Sequence, residues 1–185
     1  MKRKTVGIVA LQGAVTPHVG HCEAAGLAVR EVRKPEDLKG CDGLILPGGE
    51  SSTMLKLMGL FGLTEPLAAF FERKPVWGIC AGCILLAREV SRPAQWSFGV
   101  LDIAVERNAY GSQIQSHGAS VGGYPVCYIR APIIRRTGDV DVLATHRGTA
   151  TWVRHARAMA TTFHPELTVD VPSPMHVLFA QMLKR

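Results

Sequence analysis

Val76-Trp77-Gly78-Ile79-Cys80-Ala81-Gly82-Cys83 is a β-branched and aromatic run that stops at a Gly-x-Cys-x-Gly pentapeptide and continues into an apolar, helix-forming segment. It predicts a strand, a tight elbow and a helix. Glycines flanking one reactive side chain let the backbone turn sharply, so that the side chain stands exposed at the carboxyl end of the strand. This is the cysteine counterpart of the Gly-x-Ser-x-Gly nucleophile elbow. Cys80 is the candidate nucleophile. The helix start beneath it favours a thiolate, an adjacent imidazolium would favour it further, and the backbone N–H of Ala81 is placed to face a developing oxyanion. A buried structural cysteine fits the same pentapeptide, because free Cys is among the most buried residue types. The assignment therefore depends on what the rest of the chain brings to the same place.

Upstream, Thr5-Val6-Gly7-Ile8-Val9-Ala10-Leu11 is a near-continuous apolar run, as expected of a central parallel strand covered on both faces. It ends at Gln12-Gly13. The segment to Ala25 is expected to be helical, with Pro17 in its first turn and Gly26 at its end, and Leu27 to Val32 forms a second strand. Pro35 to Leu38 can make a short helical turn, and Gly43-Leu44-Ile45-Leu46 a third buried strand. That strand runs into Pro47-Gly48-Gly49-Glu50-Ser51-Ser52-Thr53. The Gly-Gly pair allows close backbone approach to a ligand, and Ser51, Ser52 or Thr53 can cap the helix that Met54 begins. An ordinary strand-to-helix loop has the same composition. In an open α/β sheet, however, ligands bind beyond the carboxyl ends of the strands, where both this loop and the Cys80 elbow fall.

Downstream, a helical pair broken at Gly59 and Gly62 and a helix from Pro66 toward Phe71 precede the elbow, and the helix behind Cys80 is expected to run on through Ile84 to Val90. From Gly99 the pattern changes to period-2 alternation at Val100–Glu106, Gln113–Val121, Val126–Ala131, Val140–Thr145 and Thr151–Val153, separated by turn residues. These runs suggest a smaller antiparallel or mixed sheet, appended to the main one or continuing it. The last strand, Ala158 to Phe163, ends at His164-Pro165-Glu166. Pro165 favours extension at the residue before it, so His164 and Glu166 can share one face. A carboxylate beside an imidazole fixes its tautomer and stabilises its charged form, as the third member of a triad does. Pro172-Ser173-Pro174 then caps a terminal helix from Met175 to Lys184.

The 185 residues fit a single domain. There is no leader pattern and no apolar run near the ~20 residues that span a bilayer, so a soluble, cytoplasmic protein with no membrane partner is expected. The five cysteines are odd in number and scattered, unlike a secreted disulfide framework. Cys80 and Cys83 form a C-x-x-C, which a thioredoxin-like redox pair also has. The net charge of +6 is spread in small groups with no basic helix or aromatic-basic alternation, which argues against nucleic acid. No ligand cluster for a metal is present.

With Gly-Ile-Cys-Ala-Gly, Pro-Gly-Gly-Glu-Ser and Phe-His-Pro-Glu in this order, the chain resembles a class I (triad) glutamine amidotransferase. Leu11-Gln12-Gly13-Ala14, Leu46 to Ser51 and Val105-Glu106-Arg107-Asn108-Ala109-Tyr110-Gly111 narrow the resemblance to the glutaminase subunit of pyridoxal 5′-phosphate synthase. It extends from residue 5 to the terminal helix. The resemblance implies a three-layer, flavodoxin-like α/β fold, mostly parallel with an added antiparallel portion. It implies hydrolysis of L-glutamine to glutamate and ammonia, with no cofactor and no metal, in a hetero-oligomeric complex that passes ammonia to a separate synthase subunit. By resemblance, Cys80 attacks the side-chain amide, His164 relays protons and Glu166 orients His164. Gly49, Glu50, Ser51, Arg107, Ile129 and Arg130 contact substrate, and Gly48, Gly49 and Ala81 serve the oxyanion. A cation suits Arg107 because the substrate's α-carboxylate needs one.

Some positions depart from the family pattern: Thr16-Pro17, Cys83-Ile84, Ser112, Gln115 and His117-Gly118. They bear on docking and gating more than on the reaction. The glutaminase of imidazole glycerol phosphate synthase shares the triad logic but lacks the Val-Glu-Arg-Asn block. A cysteine-elbow stress protein or peptidase lacks Phe-His-Pro-Glu, and a catalytically silent binding subunit would not need the three intact residues.

Overall fold

The computed structural model describes residues 3–108 and 117–184. In chain order its elements are β1 (Thr5–Val9), α1 (Thr16–Ala24), β2 (Ala28–Val32), β3 (Gly43–Leu46), α2 (Ser51–Leu60), α3 (Thr64–Phe71), β4 (Val76–Ile79), α4 (Ala81–Leu86) and β5 (Ala87–Ser91). There follow β6 (Leu101–Glu106), β7 (His117–Val121), β8 (Tyr124–Tyr128), β9 (Ile133–Thr137), β10 (Asp141–His146), β11 (Thr149–His155), β12 (Ala158–Thr161) and α5 (Pro174–Met182). Single 3-10 turns lie at Pro35–Leu38 and Pro165–Leu167.

The strands form a ten-stranded sheet in the order β2-β1-β3-β4-β12-β11-β9-β6-β5, with β10 paired to β11, and β7 and β8 form a separate hairpin. The five strands from β2 to β12 run parallel. Beyond β12 the pairing turns antiparallel through β11, β9 and β6, and β5 closes the edge parallel to β6. The period-2 segments thus continue the parallel sheet rather than standing apart from it, except for the β7–β8 hairpin. Residues 113–116 of the expected strand from Gln113 to Val121 lie outside the described residues, as do Ser112 and Gln115.

Alternate side chains of each central strand enter opposite cores, as the pleat requires. Val6, Ile8, Ile45, Trp77, Ile79 and Met159 face α1, α5 and the hairpin. Val9, Leu44, Leu46, Val76, Ala158 and Ala160 face α2, α3 and α4. Helices therefore cover both sides of the parallel strands, which explains why those strands read as unbroken apolar runs. Trp77, fully buried, donates its indole N–H to Thr161 Oγ1 at 3.2 Å, tying β4 to β12 across the α5 face. Among the described residues no single helix is long and apolar enough to cross a membrane.

Two expectations are corrected. The helix behind Cys80 stops at Leu86 and does not reach Val90, because residues 87–91 become β5. Its final carbonyls are taken by the returning chain, with Phe98 N donating to Leu85 O at 2.8 Å and Gly99 N to Ala87 O at 3.2 Å, while β5 pairs with β6. The cap of α2 is Glu50 rather than Ser51, Ser52 or Thr53: its carboxylate accepts from the backbone N–H groups of Ser52 and Thr53. A carboxylate at that position suits both the unsatisfied donors and the positive end of the helix dipole.

Candidate active site

The elbow is built as the pentapeptide requires. Cys80 sits between β4 and α4 with φ 50° and ψ −100°, a conformation that L-residues adopt at a cost. Gly82 is needed because a Cβ there would run into the carbonyl of Leu46 on the neighbouring strand. Cys80 N donates to Thr161 O at 2.8 Å, continuing the β4–β12 ladder to the nucleophile itself. The thiol is 3.9 Å from the carbonyl of Ile129.

His164 leaves the end of β12, and its backbone is clamped by two hydrogen bonds to Cys127 at the end of the hairpin. Glu166, in the 3-10 turn that follows, accepts from His164 Nδ1 through Oε1 at 2.7 Å. That bond leaves Nε2 of His164 free to serve Cys80, which lines the same pocket. Burial works against a charge on His164, but the hydrogen bonds and negative charges of Cys80 and Glu166 outweigh it and raise its pKa to about 10. Burial likewise works against the Glu166 carboxylate, and the His164 hydrogen bond with the positive charge nearby holds its pKa below the ordinary value. The arrangement favours a His164 imidazolium backed by the buried Glu166 carboxylate.

A pocket of about 320 Å³ opens onto Cys80 and His164. Gly48, Gly49, Glu50, Ser51, Ala81, Arg107, Ile129 and Arg130, the remaining residues singled out from the sequence apart from Glu166, all lie on its wall. Glu166 stands behind His164, fully buried at its side chain. Gly48 has to lack a side chain because a Cβ would collide with Cε1 of His164. Its carbonyl accepts from Ala14 N at 3.2 Å, which fixes the plane of the Gly48–Gly49 peptide. Arg107 Nη2 is 3.1 Å from Glu50 Oε1. Partial burial disfavours the Glu50 charge, but the hydrogen bonds from Ser52 and Thr53 prevail and hold its pKa down at about 2.

Residues the sequence did not mark as site residues also line the pocket, among them Gln12, Asn108, Pro132 and Leu167. Gln12 Oε1 accepts from Glu50 N at 2.9 Å and so holds the Gly-Gly loop from the end of β1. Its position at the carboxyl end of a central strand was the available signal. Cys83 is fully buried in the core, and burial pushes its thiol above the ordinary range. All five cysteines are free, so the C-x-x-C is not a disulfide here. Thr16-Pro17 opens α1, and His117 begins β7. Among the described residues no group of three or more His, Cys, Asp or Glu side chains is arranged to hold a metal ion.

The chain is 46% identical to a protein of Solibacter usitatus named pyridoxal 5′-phosphate synthase subunit PdxT, over 97% of this chain and all of that one. It is 45% identical to the protein of the same name in Streptomyces avermitilis, over all of this chain and 96% of the relative. A solved structure described as a glutamine amidotransferase superposes with a TM-score of 0.88 at 38% identity, covering 97% of this chain and 99% of that one. The structure of PurLQS from Thermotoga maritima shares the fold, with a TM-score of 0.68 at 17% identity. A family model described as the SNO glutamine amidotransferase family matches residues 8–184, and with these relatives it shows that the chain belongs to that family.

Proposed function

We propose that this glutamine amidotransferase hydrolyses L-glutamine with Cys80, His164 and Glu166 as its triad and delivers the ammonia to the synthase subunit of pyridoxal 5′-phosphate synthase. One observation carries the residue assignment: a buried Glu166–His164 hydrogen bond of 2.7 Å backs a histidine that shares the pocket wall with Cys80, the one cysteine lining it. The Cys80 thiolate adds to the side-chain amide carbon, and the carbonyl oxygen becomes an oxyanion. Backbone N–H groups of Ala81 and of the Gly48–Gly49 loop are the donors proposed for it. His164 gives its proton to the departing nitrogen as the C–N bond breaks, leaving a thioester and ammonia. A water then loses a proton to His164 and attacks the thioester carbon, releasing glutamate and regenerating the thiol. Arg107 takes the substrate's α-carboxylate, with Glu50, Ser51, Ile129 and Arg130 as further contacts.

The partner assignment rests on the relatives' name, subunit of a synthase. Exposed Ile129 and Leu167 on the pocket wall supply an apolar rim suited to such a contact. A cytoplasmic location belongs to the same proposal, in keeping with five free thiols. The test is glutamate release from L-glutamine by the protein, alone and mixed with a synthase subunit, with Cys80→Ala as control. Activity that rises with the partner and vanishes in the variant supports the proposal. An active Cys80→Ala protein, or no activity despite complex formation, would falsify it.

A further inference from the structure

Behind the triad, on the side away from the pocket, three histidines are buried together: His18 and His21 on α1, and His176 in the first turn of α5. The rings of His21 and His176 stack at 4.6 Å, and the edge of Trp77 meets His176 at 4.8 Å. Bond making and breaking in glutamine hydrolysis uses none of them. Buried imidazoles are unfavourable without partners, and here nearly every nitrogen is engaged. Ser173 Oγ and His176 Nδ1 are 2.6 Å apart, His176 Nε2 and His18 Nδ1 are 2.9 Å apart, and His21 Nδ1 accepts from Ser173 N at 3.0 Å. His18 Nε2 faces Glu166 Oε1 at 3.8 Å. Two of the buried side-chain atoms without a hydrogen bond among the described residues are His18 Nε2 and Glu166 Oε2, one from each member of this facing pair.

The proton positions follow by elimination. Ser173 Oγ already accepts from the backbone N–H of His176 at 3.2 Å, so its hydroxyl hydrogen is free to point at His176 Nδ1. His176 is then protonated on Nε2 and donates to His18 Nδ1. His18 in turn carries its hydrogen on Nε2, aimed at the Glu166 carboxylate. The opposite assignment would turn a nitrogen lone pair toward a carboxylate oxygen and leave the Ser173 hydrogen without its acceptor. The donors thus run one way, from Ser173 through His176 to His18, whose Nε2–H faces Glu166 across 3.8 Å, with each ring neutral.

We propose that His18, aligned by His176 and Ser173, is a positioning residue for glutamine hydrolysis: its Nε2–H fixes the carboxylate of Glu166, which orients His164. The proposal rests on the triad assigned above. His21 assists from the same helix: its Nδ1 accepts from Ser173 N, and burial lowers its pKa against the opposing pull of the backbone of Glu166 and Thr168. The titratable groups facing His18 are Glu166 and His164 from the segment after β12, His21 from α1 and His176 from α5. Burial keeps His18 neutral, with its pKa lowered to about 4 despite the attraction of Glu166.

The test uses the chain with its synthase partner and four variants. His18→Phe keeps a ring without an N–H, His18→Gln restores an N–H at the Nε2 position, His176→Phe leaves His18 unaligned, and Cys80→Ala is the control. Expected for His18→Phe is a kcat lowered roughly tenfold, the usual scale for an outer residue that orients a reacting one, with KM for glutamine within about twofold. The far-downfield proton resonance of the His164 Nδ1–H bond should shift in His18→Phe and return in His18→Gln. If His18→Phe does not fold, His176→Phe takes its place with the same expectations. Wild-type kcat with an unmoved resonance overturns the proposal, as does a loss that His18→Gln fails to restore. An inactive Cys80→Ala beside a wild-type-like His18→Phe overturns this proposal alone, whereas an active Cys80→Ala removes the triad and this proposal together.

Discussion

Arg107 Nη2 and Glu50 Oε1, both on the wall of the pocket, are joined at 3.1 Å, so the cation available to a substrate carboxylate is held by a carboxylate of the protein itself. The Arg107 side chain is 11% exposed against 44% for Glu50, which makes the arginine the fixed member of the pair. Glutamine bound there would share or replace Glu50 on the guanidinium.

Arg107→Ala should therefore raise KM for glutamine by roughly tenfold or more, in line with about 1.5–3 kcal/mol for a hydrogen bond to a charged group, while kcat falls less. Steady-state kinetics of the complex check this. An unchanged KM would leave Arg107 only its pairing with Glu50.

Glu50→Ala should cost about 1 kcal/mol of stability, because α2 loses the cap on the N–H groups of Ser52 and Thr53. Urea unfolding measures it. Glu50→Asp, which keeps a carboxylate on a shorter stem, should recover part of that loss.

Cys80 occupies a left-handed conformation with φ 50°, and only glycine adopts that region freely. Cys80→Gly should be more stable than Cys80→Ala by about 1 kcal/mol, with both proteins inactive. Equal unfolding midpoints would show that the elbow carries no strain.

His164 has its pKa raised to about 10 against burial by Cys80 and Glu166. A group raised on folding adds stability that is fully present below its unfolded pKa near 6.5 and is lost as pH climbs toward 10. Cys80→Ala removes one source of the rise, so an NMR titration should find His164 lowered and the alkaline loss of stability reduced. A His164 pKa unmoved by the substitution would remove Cys80 as a source of the rise.

The acid side has the opposite sign. His18 and His176 are buried with pKa values below the ordinary one, His18 at about 4. Their share of stability is intact above pH 6.5 and falls as pH drops toward 4, by about 3 kcal/mol for His18 alone. The lowered Glu166 adds to the loss below its ordinary range. Urea midpoints measured at falling pH should decline steeply, and a flat profile would mean that the histidines are hydrated.

The central fold was legible because β1, β3 and β4 are buried on both faces and leave unbroken apolar runs, and the elbow was legible because glycines mark its turn. The strand β5 was not, since Ala87-Arg88-Glu89-Val90 follows a helix and carries helix-forming residues; only its pairing with β6 makes it extended. Likewise β9, Ile-Ile-Arg-Arg-Thr, is strand by partnership: Arg135 and Arg136 reach Glu106 on β6 and Glu89 on β5 from across the sheet. The roles of Gln12 as a brace and of Glu50 as a cap also escaped. Gln12 acts on a backbone group of a distant segment, which local composition does not show, and Glu50 caps its own turn where three neighbouring hydroxyl residues offered the same chemistry. The histidines on α1 and α5 lie more than 150 residues apart and become one cluster only when both helices pack on Trp77.

Cys80 and His164 stand just past the ends of β4 and β12, adjacent parallel strands in register from Val76 with Ala158 to Ile79 with Thr161. Neighbouring strands keep a spacing of about 4.8 Å whatever their side chains. The sheet thus sets where the chain leaves each strand, and the hairpin clamp at Cys127 then fixes His164 beside the thiol. Leu167 on the rim hangs on the segment after β12, past that clamp, so the rim and the pair rest on different parts of the frame.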